Sequence, residues 1–462
     1  MRESIEKINT RMAKEAGIID PDGVSYEEAK DAIKNPENFA KRVEASTTEV
    51  APGVFLASKT IELGDGNFTN LYDLYFDKND PKLSEKIMTR NVPLRQHRLF
   101  INENRKSSTE EYPIACINGS FFFLQHKKLE KYPSEIIFNL NMRRGNVLGL
   151  PAVDRPALFV GQDGHINSTE LKSKGIIEIS NKDMSWIGGE PIAHKKLKEE
   201  DMEKHDAVLF NSACCTIEYL DPNDKTSLKM VREDLNFTPK REDRTDLVIT
   251  SKKEGDARKL YVTEINEGGG TGFFEGNFIL QVRKDLAQGI EVGAEVNPKT
   301  LDNLNLSEIQ SAITTGPSVK HFIENDDHDI NHDPSVGTFP PFLKDTRYAR
   351  SVLYEDQKNN IHMVVFDGVP RSQSMKGASP KEVAENIPSD VKWSVFLDGG
   401  QSSRITFNSG DKLDSRGNQQ YLRLAKVKEG QTTSNLDNPD SKFLWTRKGR
   451  ALSSMIVLYR KK

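Results

Sequence analysis

An acid, two glycines and a pair of serines form the stretch of this chain best suited to chemistry. They follow the apolar run Val395–Leu397 and read, in order, Asp398, Gly399, Gly400, Gln401, Ser402 and Ser403. The pattern predicts a carboxylate at the end of a buried strand, glycines that let a ligand approach the backbone, and hydroxyl donors. Such groups suit an anionic, oxygen-rich ligand. A plain strand followed by a tight Asp-Gly turn would give the same letters.

A second acid follows another apolar run. Asp367 comes directly after residues 361–366, and Gly368 follows it. Between the two acids, Ser379 is a predicted helix N-cap, with Pro380 at the first helical position and Glu382 three residues after the cap. The order strand, Asp-Gly, helix, strand, Asp-Gly-Gly predicts a βαβ-like unit with both acids at the carboxyl ends of strands, where ligands usually bind.

Several spaced blocks resemble the phosphodiester glycosidase family, of the type that removes N-acetylglucosamine from a phosphodiester. The matching stretches are Arg350-Ser351, VVFDGV at 364–369, GASPKEVA at 377–384, LDGGQSS at 397–403, ACINGSFF at 115–122 and AITTGPSV at 312–319. The resemblance implies a glycosidase (hydrolase) of sugar-1-phosphodiesters, with α-linked N-acetylglucosamine as the candidate sugar. We expect release of free sugar and a phosphomonoester.

Phosphate is a good leaving group, so the predicted site needs a carboxylate and phosphate donors more than a strong acid. The candidate carboxylates are Asp398 and Asp367. Arg350 is the candidate phosphate clamp because its guanidinium can form a bidentate fork, and Ser351 beside it is also a candidate for binding the substrate or its phosphate. The glycines and serines that follow Asp398 are expected to line the phosphate, namely Gly399, Gly400, Ser402 and Ser403.

Glu382 is predicted in two ways. Its place in the family motif makes it a catalytic candidate, whereas its spacing from Ser379 gives it a complete structural role in a capping box. The family often has arginine directly after the Asp-Gly pair that corresponds to Asp367-Gly368. This chain has Val369 at that position, with Arg371 nearby.

Two further turns are assigned to the site by the resemblance. Asn118 and Gly119 follow a buried strand, where the amide could hydrogen-bond sugar hydroxyls or an N-acetyl group, although an Asn-Gly hairpin is the structural alternative. Thr315 and Gly316 would place another backbone turn beside the substrate. The metal requirement is left open. Oxygen ligands such as the two aspartates would favour only a hard cation, Ca²⁺ or Mg²⁺, and no role is assigned to the His/Asp-rich loop 321–333.

Composition excludes some partners. The net charge of −4 with dispersed basic residues argues against nucleic acid, and no apolar run is long enough to span a membrane. The first residues lack the apolar core of a secretory signal, and the three cysteines predict no disulfide framework. We therefore expect a cytoplasmic protein, or one exported without a cleavable signal peptide.

The periodicity predicts an α+β fold, with mixed β-sheets flanked by helices. Residues 1–48 are expected to be a helical extension, and residues 49–462 one phosphodiester glycosidase-like catalytic domain with an insertion near 218–245. Two alternatives to the predicted activity stay open. One is hydrolysis of a nucleotide-sugar or another phosphoglycosyl linkage, and the other is a non-catalytic phosphoglycan-binding protein.

Overall fold

The computed structural model describes most of the 462 residues. The described residues are 35–89, 110–120, 140–189, 199–211, 214, 217–221, 224–230, 237–255, 257–272, 276–320, 322, 346–369, 372–409, 412–417, 423–426, 443–446, 452 and 454–462. The predicted helices of the N-terminal extension, the His/Asp-rich loop and Arg371 lie wholly or largely outside these ranges.

Strands dominate the described chain. The first fourteen are β1 (Ser46–Ala51), β2 (Val54–Glu62), β3 (Phe68–Asp77), β4 (Leu83–Thr89), β5 (Glu111–Asn118), β6 (Asn141–Arg143), β7 (Asn146–Gly149), β8 (Arg155–Gly161), β9 (Ile166–Leu171), β10 (Lys174–Ile179), β11 (Lys182–Gly188), β12 (Ala207–Phe210), β13 (Ile217–Asp221) and β14 (Asp224–Met230). They are followed by β15 (Arg244–Glu254), β16 (Ala257–Glu267), β17 (Phe278–Arg283), β18 (Glu295–Leu301), β19 (Leu304–Asn305), β20 (Ile309–Thr314), β21 (Arg350–Glu355), β22 (Asn360–Phe366), β23 (Trp393–Phe396), β24 (Arg404–Ser409), β25 (Lys412–Gly417), β26 (Arg423–Lys426), β27 (Phe443–Thr446) and β28 (Ser454–Lys461).

Helices are few and short in the part of the chain that the structure describes. They are α1 (Glu199–Glu203), α2 (Lys284–Ala287) and α3 (Pro380–Asn386), with 3₁₀ turns at Pro36–Phe39, Leu306–Glu308 and Gly400–Ser402. The predicted α+β class with flanking helices is therefore wrong, because the protein is mostly β. The physical reason is that nearly all described neighbouring strands are antiparallel, and antiparallel neighbours can be joined by short connections without a helix.

The described chain divides into two compact units. The first comprises Met1–Ser84, Leu94–Asn118 and Asp345–Lys462, and the second comprises Glu85–Pro93 and Gly119–Lys344. The boundary between Ser84 and Glu85 falls within β4. The predicted extension 1–48 and catalytic domain 49–462 stay predictions.

The larger sheet of the first unit carries most of the predicted site. Its six strands lie in the order β1-β2-β3-β22-β21-β23, and neighbouring strands run antiparallel. The central strands are buried along nearly their whole length, with Val352, Leu353 and Met363 fully enclosed. Continuous apolar burial of this kind fixes the register of the strands and holds their ends in place.

The second sheet of the first unit contains a further predicted site residue, Asn118, at the end of β5. In it β25, β24, β5 and β28 lie side by side, so that Ile117 of β5 pairs with both Ile405 and Ile456. The loop from β23 to β24 therefore leads from the first sheet into this one. It contains the Asp-Gly-Gly sequence.

The second unit contains two larger sheets and a hairpin. One sheet has eight strands in the order β10-β11-β12-β17-β15-β16-β18-β19, and the other has five in the order β7-β6-β20-β8-β9. Within the predicted insertion near 218–245, β13 and β14 pair as a hairpin before β15 begins at Arg244.

Candidate active site

Three of the predicted site residues have their backbones at the same end of the six-stranded sheet. β22 and β23 both run antiparallel to β21, so their carboxyl ends lie beside the amino end of β21. Arg350 opens β21 opposite Phe366, Asp367 follows β22, and Asp398 comes two residues after β23. Strands are about 4.8 Å apart, which places the backbones of the two aspartates about 10 Å apart across β21.

The loop that carries Asp398 is held by its own backbone and by a serine. Gly400 has a φ of +59°, a left-handed conformation that favours glycine, and its amide donates to the carbonyl oxygen of Ala349 at 2.7 Å. The Ser402 hydroxyl donates to Oδ2 of Asp398 at 2.5 Å. The half-buried Asp398 carboxylate is thus oriented by a neighbour in its own loop.

The other small residues of the loop are tightly enclosed. A Cβ on Gly399 would lie 3.2 Å from the carbonyl oxygen of Ala349, so a side chain there would crowd β21. Ser403 is fully buried, and among the described residues its hydroxyl has no hydrogen-bond partner. A buried hydroxyl in that state costs stability, which makes Ser403 a candidate for contact with an oxygen-rich ligand.

Asn118 connects the two larger sheets of the first unit at this loop. Its Nδ2 donates to the carbonyl oxygen of Asp398 at 2.6 Å, and its Oδ1 accepts from the Ser351 hydroxyl at 2.7 Å and from the Arg404 amide at 3.3 Å. Both Asn118 and Ser351 are completely buried. The amide predicted to bind a sugar is therefore engaged in fixing the position of the Asp398 loop.

Asp367 is more enclosed than Asp398. It has no exposed surface, and its Oδ1 accepts from the Gly368 amide at 2.8 Å. Its backbone is also fixed, since its amide donates to the carbonyl oxygen of Asn70 at 2.9 Å and its carbonyl accepts from the Thr69 hydroxyl at 2.7 Å. These bonds tie the end of β22 to β3.

Arg350 is a buried cation at the amino end of β21. Its Nε donates to the carbonyl oxygen of Ala378 at 3.1 Å and its Nη2 to that of Thr346 at 2.6 Å, and the guanidinium lies 5.6 Å from the centre of the Tyr348 ring. Burial lowers the pKa of Arg350 to about 9, and the neighbouring Tyr348 opposes this shift. The side chain is therefore still charged at neutral pH.

Glu382 occupies the structural position that its spacing predicted. Its carboxylate accepts from the Ser379 amide at 2.9 Å, and the Ser379 hydroxyl accepts from the Glu382 amide, which completes a capping box at the start of α3. Arg347 donates to both carboxylate oxygens, with each Nε contact at 3.0 Å. Burial would raise the pKa of Glu382, but these bonds outweigh it and lower that pKa. The geometry favours the structural interpretation.

Three predicted residues belong to the second unit. The buried Thr315 donates its amide to the carbonyl oxygen of Pro156 at 2.9 Å, and its hydroxyl lies 2.9 Å from the carbonyl oxygen of Gly316. Gly119 directly follows Asn118 and is buried. A substrate contact by any of the three stays a prediction.

Two arginines were missed from the sequence. Arg404 opens β24 directly after Ser403 and is only 4% exposed, and Arg347 pairs with Glu382. The signal for Arg404 was a cation immediately beyond the serine pair. The signal for Arg347 was a cation three residues before Arg350, but nothing in its spacing pointed to a partner 35 residues away.

The described residues contain no cluster of three or more His, Cys, Asp or Glu side chains that could hold a metal ion. A role for Ca²⁺ or Mg²⁺ stays a prediction. Within the same ranges, no helix is both long and apolar enough to cross a membrane.

Comparison with known proteins supports part of the sequence interpretation. The family model for phosphodiester glycosidases matches residues 252–457, just under half of the chain. This stretch includes Arg350, Asp367, Glu382 and the Asp398 loop, whereas Asn118 lies outside it. No curated protein matches the chain.

Three solved structures are similar to this chain at low identity. A hypothetical protein from Synechocystis has a TM-score of 0.49 at 12% identity, covering 91% of this chain and 64% of that protein. A Burkholderia pseudomallei protein, described by its name as exported, has a TM-score of 0.46 at 13% identity and coverages of 98% and 88%. The pro-peptide-inhibited catalytic domain of zebrafish N-acetylglucosamine-1-phosphodiester alpha-N-acetylglucosaminidase has a TM-score of 0.38 at 11% identity, with coverages of 90% and 87%.

The chain therefore spans less than two thirds of the Synechocystis protein. All three TM-scores are low, so the assignment depends on the family model and on the motifs. The resemblance predicted from the blocks around Asp367 and Asp398 is confirmed: residues 252–457 match the phosphodiester glycosidase family.

Proposed function

We propose that this protein hydrolyses the glycosidic bond of a sugar-1-phosphodiester, with α-linked N-acetylglucosamine as the candidate sugar. The observation that carries the proposal is that the backbones of Asp398, Arg350 and Asp367 lie at the same end of one sheet, within the stretch that matches the phosphodiester glycosidase family. An acid loop beside a buried guanidinium suits a substrate that joins a sugar carbon to a phosphate.

The reaction adds water to the anomeric carbon and breaks the bond between that carbon and the phosphate oxygen. The products are free sugar and a phosphomonoester. Because the phosphomonoester leaves readily, the main demands on the protein are activation of water and stabilisation of an oxocarbenium-like transition state.

Asp398 is assigned the proton-accepting role. It is the more exposed of the two aspartates, and the hydrogen bond from Ser402 to Oδ2 orients its carboxylate. The enclosed Asp367 is assigned electrostatic stabilisation of the positive charge that develops on the sugar. Glu382 is assigned no proton transfer, since Arg347 and the Ser379 amide engage its carboxylate.

Phosphate recognition is assigned to the groups around the amino end of β21. Arg350 supplies a rigidly held positive charge, and the Ser403 hydroxyl supplies a buried polar group. Arg404 is an added candidate, since it follows Ser403 directly. The Gly400 amide already donates to Ala349, so we assign Gly400 to shaping the loop rather than to binding phosphate.

The test is sugar release from three substrates: the methyl phosphodiester of N-acetylglucosamine-1-phosphate, UDP-N-acetylglucosamine and an aryl N-acetylglucosaminide. We expect turnover of the phosphodiester, and loss of about 10²–10⁴-fold in kcat for Asp398→Asn. Asp390→Asn is the matched control, because Asp390 is an exposed aspartate that precedes β23.

Faster turnover of UDP-N-acetylglucosamine than of the methyl phosphodiester would instead identify the protein as a nucleotide-sugar hydrolase. Binding of the phosphodiester without turnover by the wild-type protein would refute the hydrolase proposal. It would favour a phosphoglycan-binding protein.

A further inference from the structure

The short segment before β1 contacts the loop that follows Asp367. We name residues 35–43 the N-terminal strap. Its acid Glu37 accepts hydrogen bonds from the Ser372 hydroxyl at 3.0 Å, from the Gln373 amide at 2.5 Å and from the Ser374 hydroxyl. Burial would raise the pKa of Glu37, but these bonds outweigh it and lower that pKa. One exposed carboxylate thus gathers three donors from a single turn.

Apolar contacts support the same attachment. Phe39 and Ala40 of the strap pack against a buried cluster of Phe68, Val369 and Met375. Val369 is two residues beyond Asp367. The strap therefore covers apolar residues on both sides of the turn that Glu37 holds.

A second connection reaches Asp367 through β3. The carbonyl oxygen of Lys41 accepts from Nδ2 of Asn70 at 2.8 Å, and the carbonyl oxygen of Asn70 accepts from the Asp367 amide at 2.9 Å. Oδ1 of Asn70 also accepts from Thr60, whose hydroxyl in turn accepts from the amide of Val43. Asn70 is thus held by the C-terminal end of the strap, through Lys41 directly and through Val43 by way of Thr60.

The turn held by Glu37 is rigidly joined to the Asp367 loop. The Val369 amide donates to the carbonyl oxygen of Met375 at 2.7 Å, and the Ser372 amide donates to that of Val369 at 3.1 Å. Gly368 lies so close to Gly377 that a Cβ on Gly368 would come within 2.8 Å of the Gly377 backbone. Displacement of the turn would therefore displace the residues next to Asp367.

We propose that Glu37 is a positioning residue, and that the N-terminal strap holds Asp367 in its reactive place by fixing the turn Ser372–Met375. This inference rests on the proposed function for its effect on turnover, but its structural part does not. A carboxylate that only capped a surface turn would leave turnover unchanged. A carboxylate that sets the Asp367 loop should alter kcat, since electrostatic stabilisation of the transition state depends on where the Asp367 charge is held.

The test compares Glu37→Gln and Glu37→Ala with Glu44→Gln, a control at an exposed acid just beyond the strap. For both Glu37 variants we expect kcat on the methyl phosphodiester of N-acetylglucosamine-1-phosphate to fall about tenfold, with KM nearly unchanged. We also expect faster amide hydrogen exchange at Val369 and across 372–375, with only a small fall in the thermal midpoint, because the lost bonds are made by an exposed carboxylate. Glu44→Gln should match the wild type throughout.

Wild-type kcat in both Glu37 variants would overturn the proposal, and so would wild-type exchange in the turn. If the wild-type protein turns over no phosphodiester, the proposed function fails by itself. The positioning role of the strap is then tested by amide hydrogen exchange alone. Exchange at Val369 and across 372–375 must still be faster in Glu37→Gln and must be unchanged in Glu44→Gln.

Discussion

Replacement of Asn118 by alanine should both destabilise the protein and slow the reaction. The change removes three hydrogen bonds, to the Asp398 carbonyl, the Ser351 hydroxyl and the Arg404 amide. At about 1 kcal/mol for each bond, the free energy of unfolding should fall by about 3 kcal/mol. The Asp398 loop would also lose its connection to β5, and a displacement of about 1 Å could reduce kcat about 100-fold.

A urea titration followed by sugar-release kinetics measures both effects. Asn408→Ala is the matched control, because Asn408 is a buried asparagine of the same sheet that makes one described bond, to the carbonyl oxygen of Pro113 at 2.9 Å. It should lose about 1 kcal/mol of stability with unchanged kcat. Asn118→Asp retains the acceptor but places a buried carboxylate oxygen against the Asp398 carbonyl oxygen, so it should lower both kcat and the free energy of unfolding.

The two possible roles of Asn118 predict different kinetics. An anchor of the Asp398 loop lowers kcat and leaves KM nearly unchanged, whereas a sugar ligand raises KM. A variant with wild-type stability and a raised KM would therefore refute the anchoring role and restore the sugar-binding prediction.

Two further predictions concern backbone strain and pH. Gly377→Ala should lower the free energy of unfolding by about 4 kcal/mol, because Gly377 has a φ of +91° and a Cβ there would lie 2.2 Å from a backbone carbonyl oxygen. Gly66→Ala is the control, since Gly66 has a φ of +68° but no atom within 4 Å of its added Cβ. It should lower the free energy of unfolding, measured by thermal unfolding, by about 1–2 kcal/mol. Burial would lower the pKa of His362, but Asp73 at 2.9 Å and Asp356 at 3.5 Å outweigh it and raise that pKa. The resulting stabilisation should be complete below about pH 6.5 and lost as the pH rises through the pKa of His362 in the folded protein. The free energy of unfolding in urea should therefore exceed that of His362→Gln by less at high pH than at low pH. A difference that does not change with pH would contradict this.

Local signals in the sequence predicted local structure well around the site. Ser379, Pro380 and Glu382 predicted a helix that begins at residue 380, and the capping box is present as expected. The apolar runs before Asp367 and Asp398 predicted two strands that end just before each acid. Such features depend on residues only a few positions apart, and so a single sequence is sufficient to identify them.

The fold class could not be obtained in the same way. Strand, helix, strand predicted a parallel unit, and β22 and β23 do run in the same direction, but β21 lies between them and pairs with both. Nothing in the local pattern of residues 360–400 indicates that an earlier strand is inserted there. Pairing partners are chosen by burial over the whole unit, which a local pattern does not contain.

The sequence by itself determined the motif blocks, the ends of the strands that carry the acids, and the identity of the cation beside them. Only the tertiary structure decided that Asp398 is the more exposed acid, that Asn118 bonds to its loop from 280 residues away, and that Glu37 holds a turn 335 residues further along. The physical reason is that exposure and long-range hydrogen bonds arise when strands from distant parts of the chain pack together, whereas strand ends and helix caps are set by neighbouring residues.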